Sequence, residues 1–91
     1  MYKVYCWSDR FKKMWAYSRT FYEFGNAMYF LSTVYKPTHY YLHENSFIYK
    51  IVDVHNNCSS YYLVMPFKKN FNIIYNIKPD NLNFFMEGLH D

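Results

Sequence analysis

The sequence predicts a small α+β domain. The expected architecture is an antiparallel sheet (about ββαββ, then further strands) with one main helix and a short C-terminal helix. Three observations carry this reading. Apolar and polar residues alternate over several short stretches, the period switches once to a long helical stripe, and a second helical spacing closes the chain. With 91 residues there is room for one core, so residues 1–91 read as a single domain.

Tyr2, Val4 and Cys6 alternate with Lys3, Tyr5 and Trp7 and predict a first strand. Ser8-Asp9-Arg10 is a polar turn. Lys13, Trp15 and Tyr17 then oppose Met14, Ala16 and Ser18, which completes a β-hairpin. Thr20 and Glu23 match the spacing of a capping box, in which hydroxyl and carboxylate satisfy free amides reciprocally. Phe24, Ala27, Met28, Leu31, Val34 and Tyr35 follow as one helical stripe, and Pro37 is expected to stop it. His39 to His43 resumes alternation, and Phe47 to Val54 is the strongest strand by propensity. His55 to Ser60 reads as a loop, and Tyr61 to Phe67 as a strand whose Pro66 favours an edge or bulge. Lys68-Lys69-Asn70 turns the chain into a last strand, with Phe71, Ile73, Tyr75 and Ile77 opposing Asn72, Ile74 and Asn76. Leu82, Phe85, Met86 and Leu89 predict a short helix after Pro79-Asp80. Helices are expected on one side of the sheet.

Twelve Tyr, nine Phe and two Trp make a quarter of the chain aromatic. A domain this small hides only about 60% of its unfolded surface, so many rings must stay at or near solvent. Rings with polar tips anchor interfaces, which points to a binding protein. A net charge of +3 is too mild to argue for nucleic acid by itself, although Arg10, Lys12, Lys13, Lys68 and Lys69 cluster locally. The N-terminal stretch lacks the features of a signal peptide, and no apolar run approaches the ~20 residues of a membrane span. Two cysteines fit reduced thiols rather than a disulfide scaffold. The expected location is therefore cytoplasmic, in a host cell. That last term comes from composition: Tyr, Phe, Asn, Lys and Ile are abundant and Ala27 is the single alanine, as in a gene of an AT-rich phage or mobile element.

The residues suited to chemistry are sparse. His39 and His43 on one strand would stand about 13 Å apart, too far for one zinc ion. His55 and Cys58 lack an orienting third group, the seven carboxylates are scattered, and two glycines make no phosphate loop. Asp53, inside an apolar strand, reads as an outward residue near its end. The expectation is no enzyme, no metal and no cofactor.

What remains is the first hairpin. Tyr5, Trp7, Arg10, Lys13, Trp15 and Tyr17 form the expected binding set, with Lys3 on the same face and Val4, Cys6, Met14 and Ala16 beneath the helix. The expected function is a small non-enzymatic module that binds and occludes a host or defence protein, with a homodimer possible on the same physics. The alternative is a single-stranded nucleic-acid binder that stacks bases on these rings. Cross-strand aromatic pairing that only stabilises the hairpin accounts for Trp7 and Trp15 equally well.

Overall fold

A computed structural model describes residues 1–8, 14–34, 46–68 and 71–88. The elements are β1 (Tyr2–Ser8), β2 (Met14–Phe21), α1 (Phe24–Thr33), β3 (Phe47–Asp53), β4 (Cys58–Lys68) and β5 (Phe71–Ile77). A 3₁₀ turn over Pro79–Asn81 leads into α2 (Leu82–Gly88). All neighbouring strands run antiparallel in the order β2-β1-β3-β4-β5. The expected α+β class, main helix and short C-terminal helix are all present. The alternating stretch His39–His43, Tyr35, Pro37 and Leu89 lie outside the described residues.

Strand alternation sorts the side chains into two cores. Val4 and Cys6 of β1, Phe47, Tyr49 and Ile51 of β3, and Tyr62 and Val64 of β4 point to one face. There α1 lays Ala27 and Leu31 on them, both fully buried. On the opposite face Ile48 and Ile77 are buried, with Trp7, Trp15, Tyr61 and Leu63 packed against them together with Leu82, Phe85 and Met86 of α2. The sequence predicts both helices on one side. The sheet instead carries α1 on one face and α2 on the other, because Leu82, Phe85 and Met86 fold back onto the cluster of Ile48 and Ile77.

The start and end of α1 also differ from expectation. Val4 pairs with Arg19 while Tyr5 pairs with Tyr17, so Ser18 is an extra, bulged residue in β2. The bulge keeps Trp15 and Tyr17 on one face and turns Phe21 to the other, against Phe30 of α1 at 5.5 Å between ring centroids. The strand thus continues through Thr20, whose hydroxyl meets the Tyr17 hydroxyl at 2.7 Å rather than capping a helix. Glu23 is the N-cap and makes no side-chain cap bond, so the capping box does not form. At the other end Val34 is already extended, ahead of Pro37. Here Asn72 of β5, buried beneath the helix end, donates from Nδ2 to the carbonyls of Leu31 (2.9 Å) and Val34 (3.1 Å). Helix ends leave such carbonyls unpaired, and a side-chain amide at this point both satisfies them and ties α1 to the edge strand.

The β3–β4 turn is narrower than predicted. Asp53 pairs with Cys58, so Cys58–Ser60 belong to β4 and the turn is Val54–Asn57. Asp53 accepts from the Asn56 backbone amide (3.3 Å) and side-chain amide (2.7 Å), and Asn57 adopts φ 52. Short polar side chains tolerate this left-handed conformation better than most. The Asn56 side-chain bond is the main reason the exposed Asp53 carboxyl lies below its ordinary range.

Two ionisable side chains sit inside the main core. Burial pushes the Cys6 thiol from its usual 9.0 up to about 12, partly offset by a hydrogen bond with Tyr49. Burial, and then the charge of a Cys6 thiolate, raise the Tyr49 hydroxyl as well. Both groups are acids favoured in their neutral forms by the fold. Their contribution is therefore complete below the unfolded-state values and is lost as pH rises above about 9 toward 12. One such group costs about 1.4 kcal/mol per pH unit across that window. Urea midpoints are expected to fall steeply between pH values of about 9 and 11. Cys6→Ala should flatten the slope, and an unchanged slope would remove the thiol from the account.

Candidate functional site

The face opposite α1 gathers most of the rings predicted to matter. Cross-strand register places Tyr17, Tyr5, Lys50, Tyr61 and Ile77 in one row across all five strands. Trp15 and Trp7 form the adjoining pair on β2 and β1. Of the six expected binding residues, Tyr5, Trp7, Trp15 and Tyr17 are thus brought together. Arg10 and Lys13 lie outside the described residues, as do Lys12 and Lys69.

The rings mostly contact one another. Trp7 and Trp15 meet edge to face at 5.3 Å, and Tyr5 and Tyr17 do so at 5.8 Å. Trp15 also reaches Tyr61 at 5.9 Å. Such pairs add about 0.5–1.5 kcal/mol each beyond area burial. Lys50 was not singled out in the sequence, yet it is central here. Its Nζ stands 4.9 Å from the Tyr5 ring centroid and 4.7 Å from that of Trp15. A cation over two rings is held by their quadrupoles. Partial burial lowers the Lys50 ammonium's pKa from its usual value. The signal available in the sequence was a lone cation inside the apolar run Phe47–Val52, which an alternating strand must turn toward the less buried face.

The row is graded in exposure. Trp7 and Trp15 are half-buried and serve the second core. The Trp7 Nε1 is buried without a hydrogen-bond partner among the described residues. Tyr5 and Lys50 are half-buried. Tyr17 is 58% exposed, its hydroxyl fixed by Thr20. The Trp pair is therefore the floor of the face and Tyr17 its projecting residue.

Elsewhere among the described residues two shallow grooves stand out. A groove of about 300 Å³ between β2 and α1 is lined by Arg19, Phe21, Tyr29 and Phe30, with the Arg19 guanidinium 5.7 Å from the Phe30 ring centroid. A second, of about 230 Å³, lies beside Tyr2, Phe24 and Asp53, with Cys58 at its rim. Among the described residues no three His, Cys, Asp or Glu side chains converge as metal ligands. No described helix is long and apolar enough to cross a membrane. No family model matches the chain, and comparison with curated proteins and solved structures finds no similar protein.

Proposed function

We propose that this protein acts by binding another protein and occluding its surface, through the face built on Tyr5, Tyr17 and Lys50 over the Trp7–Trp15 floor. The observation that supports this reading is the way the rings are committed. Base stacking requires free ring faces, but Lys50 stands over Tyr5 and Trp15, and the Tyr5–Tyr17 and Trp7–Trp15 pairs meet edge to face. A rigid aromatic cluster with one projecting tyrosine and a partly desolvated lysine suits a protein hot spot instead. Lys3 and Lys50 share this face, which favours a partner presenting a carboxylate beside an apolar contact. The AT-biased composition favours a phage or mobile-element accessory protein, with a host or defence protein as its target.

The test is capture of partners by tagged protein from host lysate, with and without nuclease, using wild type and Tyr17→Ala in parallel. A dominant partner that survives nuclease and is lost with Tyr17→Ala is the expected result. Recovery that collapses with nuclease would overturn the proposal in favour of single-stranded nucleic acid. In that case oligonucleotide affinity should also fall steeply with salt as counterions are released.

A further inference from the structure

The two edges of the described sheet are built differently. Edge β2 carries Arg19 and the Ser18 bulge, two devices that discourage pairing with another strand. Edge β5 carries neither. Its seven residues, Phe71-Asn72-Ile73-Ile74-Tyr75-Asn76-Ile77, include no charge, no Pro and no Gly, and they pair with β4 along their length. An uncharged, β-prone edge is the kind that natural sheets cover.

The order of residues in β5 indicates what covers it. About Ile74 the strand reads nearly the same in both directions: Ile73 against Tyr75, Asn72 against Asn76, Phe71 against Ile77. Two antiparallel copies centred on Ile74 would set apolar against apolar and amide against amide, with no like charges apposed. We infer that β5 pairs with β5 of a second copy of this chain about a two-fold axis at Ile74, joining the two five-stranded sheets into one.

The side chains are disposed accordingly. Asn72 is committed to α1, and Asn76 donates to the Tyr61 carbonyl at 3.3 Å, so neither amide reaches outward for a different partner. Phe71 and Tyr75 are each 53% exposed. At about 100 Å² of free surface apiece they offer roughly 400 Å² over two copies. A strand edge ~23 Å long adds main-chain hydrogen bonds to this, and the contact stays at or below the ~1,000 Å² of a specific interface. The dimer is accordingly weak and concentration-dependent. It stops at two copies, because the remaining described edges are the charged, bulged β2 strands.

This inference is independent of the proposed partner-binding face, and its test separates the two. Sedimentation equilibrium over about three decades of concentration is expected to show a reversible monomer–dimer equilibrium. Tyr75→Lys, at an exposed position, should weaken association about tenfold or more, and so should Ile73→Glu. Mixing the two variants sets the introduced ammonium against the introduced carboxylate at one of the two apposed positions, and should restore a heterodimer. Circular dichroism of each variant confirms the monomer fold. A wild type that stays monomeric throughout would overturn the inference. So would a dimer indifferent to Tyr75→Lys, and failure of the mixture to re-associate would overturn the register at Ile74.

Discussion

Phe47→Ala is expected to lower stability by about 3–5 kcal/mol, the usual cost of emptying a fully buried aromatic site. Phe47 has no exposed surface and opens β3, the central strand, directly beneath α1. It pairs with Val64 and sits in the same cluster as Val4, Tyr49 and Leu31, so collapse of the cavity would have to move both sheet and helix. At roughly 0.05–0.15 kcal/mol per residue, a chain of this size holds about 5–14 kcal/mol in total. The substitution therefore removes about a fifth of it at the least and most of it at the weak end of that range, where a measurable unfolded fraction is left. Urea unfolding followed by circular dichroism reads the change, and Phe47→Leu, which keeps most of the volume, should cost under about 1.5 kcal/mol. A Phe47→Ala loss below about 1 kcal/mol would mean that the core is not centred where α1 crosses β3.

The elements of this fold were legible where the period was clean. Val4 and Cys6 declare their face by alternation, Ala27 and Leu31 theirs by helical spacing, and the structure buries all four, although Phe24 of the same stripe is left exposed. Legibility failed where one residue breaks the period. The Ser18 bulge shifts β2 by one position, so Arg19-Thr20-Phe21 looks like the approach to a helix, although Phe21 still packs against α1. Asn72 misleads in another way. A polar residue in an edge strand reads as solvent-facing, and only the three-dimensional position of the α1 carbonyls, 38 and 41 residues earlier, gives it a buried role.

The candidate site followed the same division. Tyr5, Trp7, Trp15 and Tyr17 share a face because alternation demands it. What the sequence could not convey was how that face is shared with α2 and with Lys50, since neither is local to the hairpin. Long-range packing turned the Trp pair into support and left Tyr17 projecting.

That distinction leads to the second large expected effect. Trp7→Ala should destabilise the fold by about 3 kcal/mol, because the ring packs against the Ile48 and Ile77 core and meets Trp15 edge to face. Tyr17→Ala should cost about 1 kcal/mol or less, since it gives up one hydrogen bond and one edge contact at an exposed position. For partner binding the order reverses. Tyr17→Ala should lose about 2 kcal/mol or more, roughly 30-fold in affinity, with no loss of fold. Trp7→Ala should bind in proportion to the fraction that remains folded. Unfolding curves and binding isotherms on the same two variants separate the roles. Trp7→Ala that folds normally yet fails to bind would make the tryptophan itself a contact residue. Tyr17→Ala that binds as wild type would move the interface away from this face, since Tyr17 is the exposed ring of the described cluster.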